Sequence, residues 1–127
     1  MKELKFFRCM VCGNLTAVLV ESGVPMMCCG KPMTLLQANS TDAATEKHVP
    51  AVSINGNLLE VQVGSIIHPM TQEHHIEFIA VEFADGSFAV KNLAHTEQPM
   101  AKFAFEGTQP VKVYEFCNLH GLWVANV

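Results

Sequence analysis

Four thiols crowd the start of the chain: Cys9 and Cys12 in "CMVC", then Cys28 and Cys29 in "CCGKPM". Adjacent cysteines do not easily close an unstrained disulfide. Both can bind one ion if the backbone turns sharply, and Gly30 and Pro32 permit such a turn. The spacing therefore reads as a tetrahedral four-cysteine metal site in which one usual Cys-x-x-Cys half is compressed to an adjacent pair. Zinc and iron both accept four thiolates, so a purely structural zinc site stays open on spacing alone. A thioredoxin-like dithiol fits worse. Nothing near Cys9 reads as a βαβ unit, and a redox pair has no need of Cys28 and Cys29.

A second set of candidate ligands follows. Four of the six histidine positions stand out: His48 in "EKHVP", His68 in "IIHPM", His74 in "EHHIEF", and His120 in "CNLHG" with Cys117. Imidazoles with one thiolate suit iron, copper or zinc. Any one of these histidines taken alone is better explained as a hydrogen-bonded loop residue. The pair Cys117-x-x-His120 alters that balance, because two ligands three apart in a loop reach one ion easily. His74 and His75 should point to opposite faces of the strand they begin, so at most one faces a shared site. His74 shares its side with Ile76, Phe78 and Ala80, and parity does not say which face meets a metal. His95, in the polar turn "NLAHTEQP", is expected at the surface. The chain has no His-Glu-x-x-His, Gly-x-Ser-x-Gly, P-loop or dinucleotide fingerprint.

The elements that must position these groups are β-strands. At 127 residues, half of them apolar, the chain has room for one real core of about 90 residues plus a small appendage. A formal charge of -4, with eight Lys and Arg and no basic run, argues against nucleic acid or an acidic membrane as partner. The N-terminal "MKELKFFRCM" has no apolar h-region, and no apolar run approaches the roughly 18 residues of a membrane span. A soluble, cytoplasmic protein is the expectation. Five cysteines, an odd number, are then expected to stay reduced and free to bind metal.

Residues 1–36 form the first expected domain, with strand-like "LKFFR" and "TAVLVES". A segment below about 40 residues rarely folds alone. Metal bound by thiolates contributes about 10–16 kcal/mol, enough to order it. The polar "QANSTDAATEK" reads as a linker at the boundary. Residues 37–127 form the second domain, where "HVPAVSI" and "NLLEVQV" meet across Asn55-Gly56, and "HIEFIAVEFA" and "SFAVKNL" across Asp85-Gly86. With "AKFAFE", "VKVYEF" and "LWVAN", the pattern is all-β and predicts an immunoglobulin-like seven-stranded β-sandwich.

Taken together, "CMVC", "CCGKPM", "EKHVP", "HPMTQEHHIEF" and "CNLHGLW" resemble, in order and spacing over the whole chain, the two-iron superoxide reductases or desulfoferrodoxins. The resemblance implies a desulforedoxin-like first domain whose Cys9, Cys12, Cys28 and Cys29 bind a rubredoxin-like iron, with zinc as an alternative occupant. It implies that His48, His68, His74 and His120 form the equatorial plane of a second, catalytic iron with Cys117 as axial ligand, which selects His74 over His75. The remaining axial position is left for superoxide. Glu46 is implied to fill that position in the oxidised resting state, and Lys47 to lie beside it. The implied activity is reduction of superoxide to hydrogen peroxide with electrons from rubredoxin or a similar small donor, in a homodimer.

The residue types suit that chemistry. A thiolate ligand pushes electron density toward bound oxygen, as Cys does in haem enzymes. Lys47 reads as a cation that draws in the anion, or as a solvated loop charge. Two rival readings remain on sequence: an electron-transfer or metal-storage module, and a structural zinc domain fused to a β-sandwich that binds a partner. Cys117 and the four histidines speak against the latter, and the Glu46-Lys47 pair speaks for turnover.

Overall fold

Short strands with tight turns dominate both parts of the chain. The computed structural model describes residues 3–39 and 45–127, with the backbone alone for Thr45 and Glu46. The chain divides into two compact units, Met1–Gln37 and Ala38–Val127.

In the first unit β1 (Phe6–Arg8) lies between β2 (Leu15–Ala17) and β5 (Thr34–Leu35), both antiparallel to it. A separate hairpin joins β3 (Met27–Cys28) to β4 (Lys31–Pro32). The expected strand "TAVLVES" is shorter than its apolar run. Pairing with β1 ends at Phe6↔Ala17, so Leu19 and Val20 have no facing strand and are exposed. Pro32, expected to help the turn, instead stands in β4 opposite Met27.

The second unit begins with a short helical turn α1 (Thr45–His48), followed by β6 (Pro50–Asn55), β7 (Leu58–Val63), β8 (Ile76–Phe83), β9 (Phe88–Asn92), β10 (Met100–Ala104), β11 (Pro110–Cys117) and β12 (Gly121–Asn126). These seven strands form a three-stranded sheet, β10-β7-β6, and a four-stranded sheet, β12-β11-β8-β9. Their shared core follows from period-2 alternation: Leu59, Val61 and Val63 of β7 point inward, as do Ile79 and Val81 of β8 and Val113 of β11. The all-β architecture and the seven-stranded sandwich are as expected. The polar run "QANSTDAATEK" is structured where it is described. Asn39 bridges to Trp123 in parallel, and Thr45–Lys47 belong to α1, which His48 ends.

One turn and one strand differ in detail from expectation. Asn55 pairs with Leu58, so the central residues of the β6–β7 turn are Gly56 and Asn57, one position later than expected. Gly56 takes φ +64 at the first central position, the pattern of a type II′ hairpin. The second departure is on β8. Phe116 pairs with Phe78 but Cys117 with Ile76, so Glu77 is an extra residue that breaks the alternation. Ile76 thereby joins the core shared with Ile79, while Phe78 stacks on Phe116 on the other face. The expected common side for His74, Ile76, Phe78 and Ala80 fails for this reason, and His74 and His75 precede the strand rather than begin it.

Leu59→Ala removes a fully buried side chain at the centre of this core, and is expected to cost about 2–5 kcal/mol. Ile54→Ala on the exposed end of β6 should stay within about 0.5 kcal/mol of wild type. Urea unfolding of both variants measures the difference.

Candidate metal centres

The first donor group is built from two turns. Cys9 follows β1, its N–H donating to the Asn14 carbonyl and its own carbonyl accepting from Gly13, which closes the loop containing Cys12. Cys28 ends β3 and Cys29 opens the two-residue turn to β4. Both turn residues have positive φ, +52 at Cys29 and +74 at Gly30, the type I′ pattern. This turn is how adjacent cysteines reach one point: Cys12 Sγ lies 3.6 Å from Cys28 Sγ, and Cys28 Sγ 4.0 Å from Cys29 Sγ. The ligand atoms of Cys9, Cys12, Cys28 and Cys29 all lie within 4.8 Å of one another.

Crowded thiols resist ionising together. The backbone N–H groups of Cys12 and Val11 lower the Cys9 thiol to about 6. Hydrogen bonding with Cys12 and Cys9 raises Cys28, and pushes Cys29 up to about 12. A cation at the centre removes that conflict, since metal ligation takes thiols as thiolates.

The second group comes from three segments at one end of the sandwich. His48 ends α1, His68 and His74 sit in the connection between β7 and β8, Cys117 ends β11, and His120 is the last residue of the tight loop to β12. The imidazoles form a square. Ring centroids are 5.0 Å apart for His48–His68, 4.6 Å for His68–His74, 5.0 Å for His74–His120 and 4.8 Å for His120–His48, each pair steeply tilted. His120 Nδ1 lies 3.0 Å from His48 Nε2 and 3.7 Å from Cys117 Sγ. One ligand atom from each of the five falls within 4.8 Å of the others.

The donors are fixed from behind. His68 Nδ1 is 2.7 Å from the Pro69 carbonyl, an acceptor only, so Nδ1 carries the proton and Nε2 has its lone pair free. Trp123 stacks on His48 at 4.7 Å and donates its Nε1–H to the His120 carbonyl at 3.2 Å. His75 is occupied elsewhere: Nδ1 faces the Thr71 carbonyl and Nε2 the Glu77 carboxylate, each at 2.9 Å. His95 is exposed, its ring 6.0 Å from His75.

His68 Nε2 and His74 Nε2 are buried with no hydrogen-bond partner among the described residues. Two free lone pairs converging with a thiol and two further imidazoles fit a metal ion. Burial lowers His68 to about 4 and also lowers His74, which the neighbouring imidazoles reinforce. Both are therefore neutral donors at pH 7. Burial raises the fully buried Cys117 thiol, against backbone N–H groups of Leu119 and His120 that favour its thiolate. His120 and Lys47 are exposed, so the cluster reaches solvent on their side. The Glu46 side chain lies outside the described residues.

Sequence reading alone missed Trp123, Asn118 and Glu115. The first two stand within "CNLHGLW" but carry no ligand chemistry, and their one signal is position between or just after two ligands.

A small four-thiolate unit together with a β-sandwich that carries a four-imidazole, one-thiolate group defines a narrow class of iron protein. The family described as Desulfoferrodoxin matches residues 40–126, and that described as Desulfoferrodoxin, N-terminal domain, matches residues 1–36. Desulfoferrodoxin of Syntrophotalea carbinolica is 43% identical over 122 residues, 96% of this chain and 95% of that protein. Superoxide reductase of Thermococcus kodakarensis is 39% identical over 101 residues, 66% of this chain and 88% of that one. The crystal structure of the superoxide reductase from Treponema pallidum matches with a TM-score of 0.83 and 32% identity, covering 99% of this chain and 100% of that one. This chain belongs to the desulfoferrodoxin family, and it has a donor group for each of two irons.

Glu115, two residues before Cys117, is fully buried with neither carboxylate oxygen bonded among the described residues, and burial pushes its carboxyl up to about 9. The folded chain keeps this proton to about 9 while the unfolded chain releases it above about 4.5. Stability from this group is therefore full below the lower value and lost as pH rises toward the upper one. Glu115→Gln removes that loss. In metal-free protein the stability gap between variant and wild type should widen by about 1 kcal/mol per pH unit between about pH 6 and 8, read from urea unfolding at each pH.

Proposed function

We propose that this protein is a superoxide reductase, converting superoxide, one electron and two protons into hydrogen peroxide. The observation that carries the reading is the convergence of His48, His68, His74, His120 and Cys117 on one point, in a chain of the desulfoferrodoxin family. In this reading those five residues hold the catalytic iron. Cys9, Cys12, Cys28 and Cys29 hold the other, with zinc as its alternative occupant. Bound by the five, ferrous iron supplies the electron that superoxide needs, and its thiolate ligand raises the electron density offered to oxygen.

The chain's own residues do the rest. Neutral imidazoles at His68 and His74 add no charge to the centre, consistent with their lowered pKa values. Lys47 is exposed on the turn beside His48, and its charge is felt at His74. Against a net charge of -4, that local positive field draws the anion inward, and the ammonium orders a water that donates protons. In this reading Glu46, the neighbour of Lys47 in sequence, would be the carboxylate that closes the site once the iron is oxidised. Electrons come from rubredoxin or a similar small donor. The exposed Leu19, Val20, Val24 and Met27 of the first unit support assembly as a homodimer. Five unpaired cysteines suit the reducing cytoplasm.

Exposing the reduced protein to a superoxide flux, with reductant present, should yield about one peroxide per superoxide and no oxygen. Half that peroxide with matching oxygen means a dismutase, and no consumption above the spontaneous rate removes the reading. Lys47→Ala should slow superoxide capture by about tenfold at low ionic strength and flatten its salt dependence; pulse radiolysis across a salt series measures both.

A further inference from the structure

Asn118 opens the three-residue loop between Cys117 and Gly121, half-buried and without a ligand role of its own. Among the described residues its hydrogen bonds run to the two residues that bracket His74. Its Nδ2 donates to the Glu73 carbonyl at 3.0 Å, its Oδ1 accepts the His75 N–H at 2.9 Å, and its backbone N–H donates to the His75 carbonyl at 3.1 Å. The β8–β11 ladder ends at Cys117↔Ile76. Beyond that point the Asn118 side chain supplies bonds that a continued strand would have made.

His74 needs this more than the other imidazoles do. The His48 ring rests on Trp123, and His68 is held through its ring at Pro69 and through its N–H at the Val63 carbonyl, 2.7 Å away. The His74 Nε2 has no hydrogen-bond partner among the described residues, and the bonds holding this residue are to its backbone, from Thr71 on one side. Where the ring lies is therefore set by where its backbone is held.

We propose that Asn118 is the positioning residue for His74, coupling the Glu73–His75 segment to the loop that bears Cys117 and His120, and so governing how tightly the five-donor centre retains its iron. The inference rests on the reading that these five residues hold iron.

The test compares wild type, Asn118→Ala, which loses both side-chain bonds, and Asn118→Asp, which keeps the acceptor for the His75 N–H and loses the donor to Glu73. All are loaded with iron and challenged with a ferrous chelator. Asn118→Ala should release iron from the five-donor centre about tenfold faster, with Asn118→Asp between it and wild type. The four-cysteine centre keeps its metal as an internal standard. The visible and EPR signals of the oxidised five-donor centre should shift in the same order. Leu59→Ala serves as control, losing stability without a change in either signal. Retention and spectra of Asn118→Ala equal to wild type overturn the inference, as does loss matched by the Leu59→Ala control. If Asn118→Ala does not fold, Asn118→Asp decides on the same two readouts. Failure of the wild-type five-donor centre to hold iron would instead overturn the functional reading.

Discussion

Burying an imidazole nitrogen with nothing to bond costs about 1–3 kcal/mol, and the second unit does so twice, at His68 Nε2 and His74 Nε2. The rest of the site follows from that constraint. Lone pairs held free of protein partners are available only to a cation, and a rigid frame must keep them apart from every alternative donor. The sandwich provides the frame, because hairpin ends and a helical turn anchored in its core converge where side chains alone would collapse. The Pro69 carbonyl completes the arrangement by fixing which His68 nitrogen faces inward.

The two units meet the same demand differently. The second has a core that stands without metal, with Leu59, Ile79, Val81 and Val113 fully buried. The first has short strands and many exposed apolar side chains, so its thiolate centre takes over the part that a core plays elsewhere.

Much of this was legible in the residues. The four clustered cysteines and the Cys117-x-x-His120 pair announce metal chemistry by type and spacing, and paired turn signals announce the sandwich. What stayed hidden depends on tertiary geometry. Period-2 parity could not choose between His74 and His75, because both lie before β8 and the extra residue at Glu77 breaks the alternation. The choice becomes physical only when His75 is seen held by Thr71 and Glu77. The β6–β7 turn came out one residue late for a similar reason: Asn-Gly marks a turn, but strand register decides which residues occupy its centre. Asn118 is marked in sequence only by its place between two ligands, since its partners lie over forty positions away.

That separation also orders the assembly of the molecule. Donors of the first group span Cys9 to Cys29, and a local loop of that size closes early. Donors of the second run from His48 to His120, 72 positions apart, and their contacts are non-local ones that form only once the β11–β12 hairpin is in place. During synthesis the first centre is ready for metal while most of the second is still unmade. The five-donor centre is thus a late product of folding, and its filling marks chains that have completed the sandwich.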